Sequence, residues 1–189
     1  MTVFEAIMQR RTIRKFKQKK VERDELLKIA DCGRMSAFAA NIQPLKYAII
    51  NDEETVKRLY PFTKWAGYIP GWEPSENERP TAYIAVLTDT GIKNAQKSET
   101  DCGAAITSMM LCAYEMGLGS CWLGAIDRDG IKNLLNFEDK YYVSYLLAIG
   151  YPDQTGECFE TADGSVKYYF DENGNVHVPK RTLEEVIIG

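Results

Sequence analysis

The chain has 189 residues, 45% of them apolar and 11% aromatic, and carries a formal net charge of −4. That is enough apolar material for one globular domain over residues 1–189, while the acidic balance argues against general nucleic-acid affinity, which needs a broad basic surface. No apolar run approaches the roughly 18 residues a bilayer span requires, and the first cations follow the N-terminal apolar patch rather than precede it, the wrong order for a signal peptide.

Thr2-Val3-Phe4-Glu5 fits a capping box, and Phe4, Ile7 and Met8 recur at helical spacing, so a first helix is expected from Val3 to Arg10. Residues 12–20 are polar and read as extended. A second helix is expected from Arg23 to Arg34, with Leu26, Leu27, Ile29 and Ala30 inward. SAFAANIQP is a loop of small residues closed by Pro44, and KYAII reads as a buried strand. EETVKRLY is a short helix. Residues 61–80 hold four prolines, Gly67, Gly71, Trp65 and Trp72, the longest irregular stretch and a candidate lid or site-lining segment. AYIAVLT reads as another buried strand.

DCGAAITSMMLCAYEMGLG is apolar on nearly every side and predicts a central buried helix ended by Gly117 or Gly119. SCWLGAI follows as a strand or loop, RDGIKNLLNF as a surface helix and YVSYLLAIGY as a strong buried strand. VKYYFDENGNVHV reads as a hairpin around Asn173-Gly174. A last short helix begins near Thr182. Strands alternating with helices, then a late hairpin, indicate α/β or α+β with a mixed sheet.

Much standard chemistry is absent from the pattern. There is no GxxxxGK[ST], and GLGSCWLG neither matches GxGxxG nor follows a strand. One histidine, His177, and five cysteines without a CxxC leave no zinc motif and no Ser-His-Asp triad. The odd cysteine count gives no disulfide framework, so the chain reads as cytoplasmic with reduced thiols. What stands out is charge. Seven cations fall in the eleven positions 10–20 of an acidic chain. Lys17, Lys19 and Lys20 read as solvent-facing. Arg10, Arg11, Thr12 and Arg14 read as an anion clamp, because guanidinium forks match phosphate oxygens and a hydroxyl adds a short donor.

RRTIRKF after a short helix resembles the opening RRSxRxF of the FMN-dependent nitroreductase family. SAFAANIQPLKYAII is similar to its N-x-Q-P-W loop and strand, with Leu45 in place of the tryptophan. DCGAAITSMMLCAYEMGLGSCWLGAI resembles its central helix and GLG-x-x-W-x-G turn, LLAIGYP its late strand, and PKRTLEEVI its C-terminal basic element. The five occur in family order.

The resemblance implies an α+β homodimer with a mixed sheet flanked by helices and FMN at the subunit interface. It implies hydride transfer from NADH or NADPH to flavin, then ping-pong reduction of a small electron acceptor such as a nitroaromatic or quinone. No side chain is assigned covalent catalysis, since the cofactor carries the chemistry. A flavin-binding or sensor protein of the same fold with little turnover is the rival. By the same resemblance, Arg10, Arg11 and Thr12 hold the phosphate end, Arg14 the N1 and C2-carbonyl edge, and Asn41 and Gln43 belong to the loop that approaches the ring, some of it from the partner subunit. The Leu123 and Gly124 backbone passes N5 and O4, and Lys180 and Arg181 return to the phosphate. Trp65 and Trp72 are the aromatic candidates for lining the substrate.

Overall fold

A computed structural model describes residues 1–161 and 164–189. The chain is α+β. Helix α1 (Val3–Gln9) starts at the expected capping box, with Thr2 and Glu5 exchanging side-chain and backbone bonds. After β1 (Phe16–Lys17) comes α2 (Arg23–Arg34), which buries Leu26, Ile29, Ala30 and Gly33. Leu27, expected inward, is exposed: positions 26, 29, 30 and 33 make one helical stripe, and 27 lies about 100° off it. Strand β2 (Leu45–Ile50), helix α3 (Glu53–Leu59) and strand β3 (Ala82–Asp89) follow. Helix α4 (Glu99–Glu115) ends at Gly117, one of its two expected stops, with φ +75° and Leu118 N–H reaching back to Ala113 O. Gly119 instead opens β4 (Gly119–Leu123), where Ile13 sits so close that a Cβ would lie 2.8 Å from its side chain.

Helix α5 (Arg128–Leu135) and the twelve-residue β5 (Tyr141–Pro152) complete the main unit. β5 pairs antiparallel with β1, β3 and β4, and β3 pairs antiparallel with β2. Mixed pairing is confined to a small second sheet, in which β6 (Gly156–Glu160) runs parallel to β8 (Val176–Lys180) and β7 (Tyr169–Phe170) antiparallel to it. The expected hairpin is therefore β7–β8, its turn held by Asp171 accepting from the N–H groups of Asn173 and Asn175, with Gly174 at φ +79°. Helix α6 (Leu183–Val186) is capped by Thr182.

Two apolar layers cover the main sheet. Ile84, Val86, Leu147 and Ile149 point toward α2 and α4. Tyr83, Ala85, Leu146 and Ala148 point the other way, toward α3, α5 and residues 60–65. Alternation along β3 and along Tyr145–Ile149 of β5, past a bulge at Ser144, explains why both strands read as continuously apolar: each face has its own helical cover. Among the described residues no helix is long and apolar enough to cross a membrane.

Candidate functional site

The basic stretch leaves α1 and runs beside β4. Ile13 N–H donates to Ser120 O at 3.0 Å, and Thr12 bridges Ser120 in parallel register. Arg11 folds back on its own helix, donating to the carbonyls of Met8 and Arg10, as a cation at a helix C-terminus should. It also contacts Cys158 Sγ, which ties the small sheet to the basic stretch. A side chain at Gly156 would meet Arg11 Cβ at 2.7 Å, so the approach requires glycine there.

Arg10 Nη1 and Arg11 Nε are both buried without a hydrogen-bond partner. Burial, and then the neighbouring Arg11, lowers the Arg10 pKa. Among the described residues the ion pairs leave out Arg10, Arg11 and Arg14 altogether. Buried guanidinium donors without carboxylates are costly. The donor set is that of an anion site and fits a phosphate group.

Gln154 carries a positioning role that sequence reasoning missed. Its Oε1 accepts from the N–H groups of both Arg14 and Lys15, and its Nε2 donates to Gly174 O at 2.9 Å. It clamps the basic backbone to the β7–β8 turn. Only its place directly after a buried strand marked it. Tyr168 was also missed: the Arg14 guanidinium lies 4.5 Å from its ring centre. Lys15 pairs with Glu78 at 2.9 Å; Lys17, Lys19 and Lys20 are exposed as expected, with Lys19 also 3.8 Å over the Tyr151 ring.

Leu123 ends β4 with its side chain in the core, and exposed Gly124 follows. Gly124 lies four residues along β4 from Ser120, about 13 Å at the usual strand rise. Phosphate-type donors thus stand at one end of β4 and an open backbone at the other. Lys180 and Arg181 are exposed at the end of β8, two and three positions beyond Val178, the register partner of the Arg11-bound Cys158.

Asn41 and Gln43 are not brought to this group. Their loop is anchored at the opposite end of α4, where Asp101 Oδ1 accepts from Ala39 N–H at 3.1 Å and Oδ2 meets Lys93 at 2.5 Å. Seventeen helical residues put about 25 Å between the ends of α4. The loop is strained: Ala40, Asn41 and Gln43 have φ of 50°, 52° and 53°, at roughly 1–3 kcal/mol each. Such a loop persists only when other contacts hold it, and the buried Asp101–Lys93 pair is one.

Within the 61–80 segment Trp65, Ala66, Pro74 and Pro80 are buried, while half of the residues are exposed. Trp65 is 8% exposed, stacks on Tyr60 at 6.1 Å and donates to Thr63. It packs into the second apolar layer, with little of its surface exposed. Trp72 is half-exposed and tilts against Phe170 at 4.6 Å. A concavity of about 530 Å³ between α3 and residues 76–81 is lined by none of Arg10, Arg11, Thr12 and Arg14.

Comparison with known proteins fits this geometry. Residues 7–151 match the nitroreductase family. An Archaeoglobus fulgidus protein named "Putative NADH dehydrogenase/NAD(P)H nitroreductase" is 24% identical over 83% of this chain and 89% of its own. A Thermotoga neapolitana protein named iodotyrosine deiodinase is 22% identical over 88% of this chain and 97% of its own. The solved structure of an FMN-dependent nitroreductase from Clostridium difficile R20291 superposes with a TM-score of 0.69 at 25% identity, over 89% of this chain and 98% of that one. With the matched span running from α1 through β5, the chain belongs to the nitroreductase family.

Proposed function

We propose that this protein is an FMN-dependent oxidoreductase that takes hydride from NADH or NADPH and passes it to a small electrophilic acceptor in alternating half-reactions. The observation that carries the reading is the pair of buried, unpartnered guanidinium donors on Arg10 and Arg11, neither of which pairs with a carboxylate among the described residues. Arg10, Arg11 and Thr12 would hold the phosphate, with Lys180 and Arg181 closing on it from β8. Arg14 would serve the pyrimidine edge of the ring, its backbone N–H held by Gln154 and its guanidinium over the Tyr168 ring. The Leu123–Gly124 backbone would run beside the ring. Bound FMN supplies reversible two-electron hydride chemistry; the chain supplies position, charge and exclusion of water. The kinship with a protein named iodotyrosine deiodinase adds a halogenated phenol to nitroaromatics and quinones as acceptor classes worth assaying.

The working unit is a homodimer. Asn41 and Gln43 stand a helix length from Arg10 within one chain, so a site that uses both sets takes the loop from a second copy. Exposed apolar residues support such an interface: Phe4 and Ile7 on α1, with Leu183, Val186 and Ile187 at and after α6. The test is the absorbance spectrum of the purified dimer, the identity of the heat-released cofactor, and bleaching of the flavin bands by NADH or NADPH under anaerobiosis. Folded protein that neither retains nor takes up FMN refutes the proposal. Flavin that binds but is not reduced by either nucleotide replaces it with a flavin-binding protein of little turnover.

A further inference from the structure

We propose that Cys32, Cys112 and Met116 form a sulfur-only site for a thiophilic monovalent cation of the cuprous type, set between α2 and α4 and separate from the flavin clamp.

The two helices pack antiparallel in close contact. Ser36 Oγ meets Ser108 Oγ at 2.8 Å, which fixes one pair of facing positions. Moving one turn back along α2 and one turn forward along α4 brings Cys32 opposite Cys112. Between these pairs Gly33 lies against Met109, where a Cβ would come within 2.7 Å of the methionine methyl. The glycine lets the helices approach, and the thiols share the narrow part of the interface. Both are half-exposed, and both line a concavity of about 410 Å³ together with Met35 and Leu111.

Met116, one turn beyond Cys112 and the cap residue of α4, places Sδ 3.9 Å from Cys112 Sγ. A trigonal centre with metal–sulfur bonds of about 2.3 Å holds its sulfurs about 4.0 Å apart. The observed separation is therefore one edge of such a centre. Two thiolates and a thioether are the soft set that selects cuprous ion over zinc. Among the described residues no three His, Cys, Asp or Glu side chains gather into a harder site. Binding exchanges two thiol protons for one cation, with no electron transferred.

A disulfide between the same cysteines is the competing chemistry, and the oxidation arm of the test distinguishes it.

The test uses the reduced full-length protein under anaerobiosis, titrated with cuprous ion buffered by bathocuproine disulfonate. One equivalent per chain should be held, with X-ray absorption showing sulfur neighbours only. Cys112→Ser should weaken binding by more than the roughly 10–100-fold typical of losing an outer-sphere partner. Met116→Leu should weaken it less and leave one sulfur fewer. If Cys112→Ser does not fold, Cys32→Ser at the half-exposed position makes the same comparison. Failure to compete for the ion, undiminished affinity when Cys32 is replaced, an unchanged sulfur count in Met116→Leu, or ready oxidation to a Cys32–Cys112 disulfide without metal uptake each overturns the assignment.

Discussion

Replacing Arg10 with methionine should move two measurements in opposite directions. In the empty chain Arg10 Nη1 is buried without a partner, and burial together with Arg11 lowers the pKa of the guanidinium. An orphaned buried donor costs about 1–3 kcal/mol, and methionine keeps much of the packed stem. The apo variant should therefore unfold at the same temperature as the parent or higher. With FMN the sign reverses. A charge-assisted contact to phosphate contributes about 1.5–3 kcal/mol, so FMN should bind about 10–150-fold more weakly. Thermal unfolding of apo and reconstituted protein, with a fluorescence titration of FMN, reads both. Loss of apo stability by several degrees with unchanged FMN affinity would refute the reasoning and make Arg10 a structural residue.

Gln154→Ala removes the acceptor that holds Arg14 and Lys15, so stability should fall by about 1–3 kcal/mol in chemical denaturation and FMN affinity should fall with it, while Gln154→Glu, which keeps the acceptor but sets a carboxylate oxygen against Gly174 O, should recover only part of the stability. Asp101→Asn breaks the buried pair with Lys93 and should cost roughly 3 kcal/mol, with faster hydrogen exchange at Ala39 and its neighbours; exchange unchanged there would mean the strained loop is held by other contacts. Phe4→Glu with Ile7→Glu should shift sedimentation toward monomer and lower FMN retention together, and a variant that stays dimeric would remove α1 from the interface. At high pH, burial and the Glu73 carboxylate raise Tyr60 to about 12. Its contribution is fully present below the ordinary tyrosine value of about 10 and is lost as pH rises from there through about 12. Tyr60→Phe should flatten that part of the unfolding profile, and an unaltered profile would place the alkaline loss elsewhere.

Local rules account for most of the elements. Thr2–Glu5 and Thr182–Glu185 cap their helices as their spacing dictates, Gly117 stops α4 by adopting a left-handed φ, and Asn173-Gly174 turns the chain between β7 and β8. These signals are readable because each involves residues a few positions apart. The unpaired charge of the basic stretch was legible for the same reason. Which cations stand free was not: Lys15 found Glu78, Lys19 found Tyr151 and Arg11 turned back on its helix, all through contacts that no local pattern announces. Trp65 reads from its neighbours as a loop aromatic, yet the second apolar layer, built from β3, β4 and β5 as well as nearby Tyr60, places it in the core. Gln154 and Tyr168 reach Arg14 only because β5 and the small sheet return beside β4. The separation of Asn41 from Arg10 comes from the length of α4 and where its ends attach, so a site drawn from both is a property of tertiary placement, not of local residue spacing.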